Sequence, residues 1–202
     1  MTQVSTSIDD AVDALRSGSV IGIATDTVYG IATDVFLPGA DRLLADAKRR
    51  SASVPVQVLV SGFEQALSVG IWSDAARRAA GILWPGAVTL VVPRRSDVRL
   101  DLGGAGDTIG IRWPARSLAV EVCSRFGPLA ATSANHHGET PLRSAQQVAE
   151  TFASSVSLVL DGGFLSGIAS AVVDLTGAEP SVLREGALTP AKVKEALQSA
   201  DP

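Results

Sequence analysis

The side chains able to do chemistry gather at a few points of this sequence. The run Thr25-Asp26-Thr27-Val28-Tyr29-Gly30 follows an apolar stretch, where open α/β sheets present ligand-binding groups. It reads equally as a hydrogen-bonded turn. Lys48, Arg49 and Arg50 end a helical pattern. Cations there offset the helix dipole, and a Lys/Arg pair two residues apart also suits a phosphate chain. Arg112 stands inside core-like sequence, between Ile109-Gly110-Ile111 and Trp113-Pro114. Such a charge needs a partner, either a structural carboxylate or an anionic ligand. Ser133-Ala134-Asn135 follows an apolar run, and short polar groups at a strand end bind ligands or make ordinary turns.

Hydrolytic and metal chemistry have little to stand on. There is no Walker loop, no GxGxxG, no GxSxG and no HExxH. His136 and His137 are adjacent, so their side chains diverge, which argues against a shared metal site. Cys123 falls on an apolar helical face with Ala119 and Val122, the place of a buried structural thiol. As the only cysteine it makes neither an intrachain disulfide nor a thiolate metal cluster, so no metal ligand set is expected.

The elements that position these groups follow from periodicity. Helices are expected over 7–18, 38–50, 62–69, 73–83, 115–126, 144–153 and 189–197, with Ser7 and Ser73 as caps. Strands are expected over 19–24, 31–33, 56–60, 88–93, 108–113, 128–132, 157–160, 171–175 and 181–184, with 25–30 as a loop. The elements alternate unevenly, and several strands follow one another directly. That predicts an α/β fold on a twisted mixed sheet. The chain has 202 residues, below the roughly 250 of an eight-fold barrel, and shows no linker or repeat. One domain over 1–202 is expected.

Composition narrows the class. Hydrophobic residues make up 46%, enough for a core and too many for a disordered chain. No apolar run approaches the roughly 18–20 residues of a membrane span. The first thirteen residues lack a basic cluster followed by an apolar stretch, so a cytoplasmic protein without membrane contact is expected. The net charge is −4, yet between Arg42 and Arg125 there are 12 basic and 7 acidic residues. A basic middle in an acidic chain suits a small anionic ligand better than a nucleic-acid coat.

Taken together and in order, these residues resemble the YrdC-like family of threonylcarbamoyl-AMP synthases. The resemblance rests on Thr25-Asp-Thr-Val-Tyr-Gly30, Lys48-x-Arg50 with Pro55, and Trp84-Pro-Gly-Ala-Val-Thr-Leu90. It continues through Gly110-Ile-Arg-Trp-Pro114, Ser133-Ala-Asn135 with Gly138, Ser170-Ala-Val-Val-Asp174, and Val182-Leu-Arg184-x-Gly186, and covers about residues 8–197. It implies a twisted open sheet curling around a large concave cavity. It also implies a reaction in which L-threonine, bicarbonate and ATP give threonylcarbamoyl-AMP and pyrophosphate. A separate transferase complex then uses the product to modify the adenosine beside the tRNA anticodon, with at most weak tRNA contact by this chain.

By the same resemblance Lys48 and Arg50 are the catalytic cations on the phosphates and the carbamate. Thr27, Arg112, Ser133 and Ser170 hold threonine. Arg50, Thr108, Asn135 and Arg184 face the nucleotide. Mg²⁺ accompanies ATP, and no tightly bound cofactor is implied.

Three positions depart from the family pattern: Val54 for a polar or basic residue, His137 for a serine, and Ala171 for a threonine. Each is expected to remove a contact worth about 1 kcal/mol if neutral. Should those losses combine, the alternative is a paralogue that binds nucleotide or structured RNA in the same cavity without this chemistry. Salt-sensitive tRNA binding without turnover is its signature. A carbamoyl-phosphate-dependent activity of the same fold is a more distant reading, since that resemblance belongs to much longer chains.

Overall fold

In the computed structural model, which describes residues 2–104, 106–115 and 117–198, the apolar strands assemble into one sheet. Its strands are β1 (Gln3–Ser5), β2 (Ile21–Ala24), β3 (Tyr29–Asp34), β4 (Gln57–Leu59), β5 (Val88–Pro93), β6 (Thr108–Arg112), β7 (Leu129–Ser133), β8 (Leu158–Leu160), β9 (Ala171–Asp174) and β10 (Ser181–Arg184). They run in the order β1-β8-β2-β3-β7-β4-β6-β5-β9-β10. β1 and β2 pair in parallel with β8, β4 with β6, and β5 with β9, while the other neighbours are antiparallel. The twisted mixed sheet expected from the element pattern, open as the resemblance implies, is the fold.

The helices are α1 (Ile8–Arg16), α2 (Ala40–Ala47), α3 (Phe63–Val69), α4 (Asp74–Leu83), α5 (Leu118–Phe126), α6 (Ala145–Thr151) and α7 (Pro190–Gln198). Ser7, Ser73 and Ser144 cap α1, α4 and α6 by accepting the N–H three residues on. Period-two alternation divides the strands between two faces. On one face Val58, Leu90, Ile109 and Ile111 pack with residues of α3 and α4 in the larger core. On the other, Ile21, Ile23, Leu129 and Leu158 pack under Val12 and Leu15 of α1 and Val122 and Cys123 of α5. α1 and α5 cover β8, β2 and β3 and reach β4. Beyond them, over β6, β5 and β9, this second face stays open.

Four local expectations are corrected. β1 carries no signal of its own, because a three-residue, mostly exposed edge strand exists only through its pairing with β8. Tyr29 and Gly30 belong to β3, not to a loop, because Gly30 pairs with Ser133. α2 stops at Ala47, since Arg49 adopts a left-handed backbone that breaks the helical repeat before Arg50. α5 begins at Leu118, three residues later than its apolar pattern suggests, after Ser117 in an extended conformation.

Candidate active site

The open part of the second face is lined by alternate residues of several strands. β6 contributes Thr108, Gly110 and Arg112, β5 contributes Thr89 and Val91, and β4 contributes Gln57 and Leu59. β7 adds Ala131 and Ser133, and the start of β9 adds Ser170 and Val172. They bound a cavity of about 510 Å³. Lys48, Arg50, Arg94, Arg112 and Arg184 all line it, and no aspartate or glutamate does so among the described residues. The enclosure is therefore strongly cationic, the arrangement that focuses field on an anionic ligand.

Arg112 carries the deepest of these charges. The residue is 1% exposed, and its Nη2 donates to Asp26 Oδ1 at 2.6 Å. Nη1 donates to Thr27 Oγ1 at 2.8 Å and Nε to Gly86 O at 3.1 Å. Of the two partners the sequence left open, the structural carboxylate is present. Three of the five N–H groups are engaged, which leaves two for a ligand. Burial pushes the Arg112 pKa down, Asp26 opposes that, and Arg184 adds to it. Thr25 Oγ1 accepts from the N–H groups of Thr27 and Val28, so the 25–28 segment is also the turn its composition suggested. Thr27 stands behind the cavity wall bracing Arg112, whereas Thr25 lines the wall.

Lys48 is the C-cap of α2, and Arg49 beside it has φ 53°. That turn brings Lys48 and Arg50 to the same cavity. Lys48 is 2% exposed, and its Nζ donates to Ser133 O at 2.6 Å, Asn135 O at 2.7 Å and Asn135 Oδ1 at 3.1 Å. All three ammonium protons are thereby occupied, so Lys48 clamps the turn after β7. Burial lowers its pKa to about 8, the like charge of Arg50 adds to the shift, and Glu139 opposes it. Asn135 is equally fixed, donating Nδ2 to His136 O and Glu139 O, both at 2.8 Å. Arg50 is freer: Nη2 donates to Val54 O at 3.4 Å, and the buried Nε has no partner. An exposed arginine held in the left-handed region is strained, so Arg49→Gly is expected to raise the unfolding free energy by about 0.5–1 kcal/mol. Its activity should stay unchanged, and a thermal melt beside an activity assay checks both.

A third group joins the far strands. Arg184 Nη2 donates to Ser170 O at 2.9 Å, and the Oγ of Ser170 lies 3.1 Å from Thr89 Oγ1. Thr89 in turn donates to Gln57 Oε1 at 2.8 Å. That bond passes over β6 at Gly110, where a Cβ would lie 3.2 Å from the Thr89 methyl. Gly186 lets the 184–187 segment lie against 169–171, since a Cβ there would fall 2.3 Å from Ala171 N. Ala187 N donates to Ala169 O at 2.8 Å across that contact. Thr108 is exposed at the rim of the cavity.

The three departures have unequal consequences. Ala171 alternates with Ser170 and Val172 and is fully buried in the larger core, so no cavity contact is lost with its hydroxyl. Val54 still supplies its carbonyl to Arg50. The backbone N–H of His137 donates to Lys48 O at 3.3 Å, while the exposed residue lines the cavity. Sequence reasoning missed Asp26 as the partner of Arg112, and it assigned no site role to Gln57, Thr89 or Arg94. A threonine inside the apolar run 88–93 was the available signal for Thr89.

A family model described as "Telomere recombination", covering Sua5, YciO and YrdC, matches residues 13–186. A putative threonylcarbamoyl-AMP synthase of Mycobacterium tuberculosis is 38% identical over 198 residues, 96% of this chain and 91% of that protein. The threonylcarbamoyl-AMP synthase of Pyrococcus abyssi is 34% identical over 193 residues, 93% of this chain and 56% of that protein. The crystal structure of P. abyssi Sua5 complexed with L-threonine superposes with a TM-score of 0.88 at 30% identity, covering 97% of this chain and 60% of that one. The chain thus spans a little over half of the P. abyssi protein. With a matching model over most of its length and the same fold, the chain belongs to the Sua5/YciO/YrdC family.

Proposed function

We propose that this chain is a threonylcarbamoyl-AMP synthase, making threonylcarbamoyl-AMP and pyrophosphate from L-threonine, bicarbonate and ATP. The observation that carries this reading is the cavity lined, among the described residues, by five cations and no carboxylate, in a chain whose relatives bear that name. The amine of threonine condenses with bicarbonate to a carbamate, releasing water. A carbamate oxygen then attacks the α-phosphorus of ATP, and the bond to the bridging oxygen breaks with its electron pair leaving on pyrophosphate. Negative charge accumulates on phosphoryl oxygens throughout, so positioned cations supply most of the stabilisation.

In this scheme the two uncommitted N–H groups of Arg112 take the threonine carboxylate, with Thr27 bracing the guanidinium and Ser133 and Ser170 closing the site from either side. Arg50, with its unpartnered Nε, contacts the reacting phosphate and carbamate. Lys48 contributes its charge and fixes the Ser133–Asn135 turn from behind. Thr108, Asn135 and Arg184 flank the nucleotide. Mg²⁺ enters as part of MgATP. The cavity wall offers hydroxyls and carbonyls but no carboxylate set for a resident ion, and no such cluster exists among the described residues.

The chain acts as one domain, and its product is handed to a separate transferase that modifies the tRNA adenosine. No described helix is long and apolar enough to cross a membrane, and we place the reaction in the cytoplasm. Pyrophosphate release from MgATP and bicarbonate should require L-threonine, with serine as the control, and mass spectrometry should find threonylcarbamoyl-AMP. Release that ignores the amino acid, or none despite ATP binding, would remove the assignment.

A further inference from the structure

Four of the five cavity cations have roles in the scheme above; Arg94 has none. It follows directly on β5, whose last residue, Pro93, pairs with Thr108 of β6. Its backbone is pinned, since its N–H donates to Asp107 O at 2.6 Å and the residue bridges to Gly70. The side chain is half-buried on the cavity wall, where Nη1 donates to Leu100 O at 3.3 Å. Two other arginines of the same connection, Arg95 and Arg99, pair with Asp97 and Asp101. Arg94 makes no ion pair among the described residues. A guanidinium with most of its donors uncommitted, turned into a cavity that no carboxylate lines among the described residues, is matched to an anion.

Position decides which anion. Pro93 pairs with Thr108, and Arg94, one residue further on, stands opposite Asp107, so it lies about 17 Å along the strand from the arginine assigned to threonine. The adenosine carries no charge, and the α-phosphate must meet the carbamate close to threonine. The remaining charge of the ligand lies on the far phosphates.

We propose that Arg94 binds the terminal phosphates of the triphosphate and the pyrophosphate formed from them. This inference rests on the synthase reading above. As the bond between the α-phosphorus and the bridging oxygen breaks, the electron pair and a full negative charge move onto that oxygen. Arg94 then faces two phosphates carrying one more negative charge than they carried within ATP, so it assists departure and also retains the product.

The test compares the full-length wild-type chain with Arg94→Gln and Arg94→Lys. In turnover, Arg94→Gln should lower kcat/KM for ATP about 10- to 100-fold and weaken inhibition by added pyrophosphate about 10-fold, with Arg94→Lys between it and the wild type. In calorimetry without threonine, Arg94→Gln should bind pyrophosphate about 10-fold more weakly and AMP with unchanged affinity. Thermal melts confirm that the variants are folded, and Arg94→Lys carries the test if Arg94→Gln is not. Unchanged pyrophosphate binding, or equal losses for AMP and pyrophosphate, would overturn the inference. If the wild type bound pyrophosphate through Arg94 but released none from ATP, the subsite would stand and the synthase reading would fall.

Discussion

Arg112→Met is expected to lower threonine-dependent pyrophosphate release by about 10³-fold and the unfolding free energy by about 3–5 kcal/mol. Both effects come from one geometry. The guanidinium is 1% exposed and joins three parts of the chain that are distant in sequence: Asp26 and Thr27 before β3, Gly86 before β5, and its own place at the end of β6. Methionine fills much of the volume but leaves Asp26 Oδ1 without its cation and Gly86 O without its donor. The Asp26 carboxylate, which also accepts from Ala115 N at 3.2 Å, would lose the charge that offsets its desolvation. The threonine carboxylate would lose its partner as well. Denaturant unfolding and a threonine titration separate the two consequences. Asp26→Asn, which keeps the shape and removes one charge, should lose less activity than Arg112→Met. Full activity in Arg112→Met would remove Arg112 from the threonine site.

Lys48→Met should cost about 10²–10³-fold in turnover, although the ammonium spends its protons on the protein. Its donors hold Ser133 O, Asn135 O and Asn135 Oδ1, and these fix the groups that follow β7 against the cavity. A pH dependence distinguishes this role from simple packing. Burial and Arg50 lower the Lys48 pKa to about 8, so the proton leaves as pH rises through that value. Above it the cavity loses one positive charge and the turn loses a donor, and an anionic ligand binds less tightly. The phosphates of ATP are already ionised there, so the change belongs to the protein. ATP affinity in the wild type should therefore fall between roughly pH 7 and pH 9.5, while Lys48→Met should be weak and nearly flat. A flat wild-type profile, or the same slope in both proteins, would exclude Lys48 as the titrating group.

How far the sequence could be read shows in particular residues. The serine caps of α1 and α4, the buried Cys123 and the apolar strands were legible because each depends on neighbours three or four positions away. Arg112 stood out because charge inside core sequence always demands a partner. Which partner was not legible: Asp26 lies 86 residues away, and the strand carrying Arg112 is separated from β3 by β7 and β4. The same holds for Lys48, whose acceptors lie up to 87 residues on, and for the fate of its protons. The motif predicts a lost cavity contact at Ala171, whereas its place in the alternation of β9 turns it into the core. Arg94 looked like one basic residue among several, because a position at a cavity wall has no local signature.

By itself, then, the sequence determined the kinds of element, the residues able to bind anions and the family they resemble. These are properties of short windows and of ordered motifs. Only the tertiary structure decided strand order, which side of each strand meets the cavity, and which cations are already committed to protein acceptors. Those depend on contacts between segments tens of residues apart, and packing and burial select them together rather than one residue at a time.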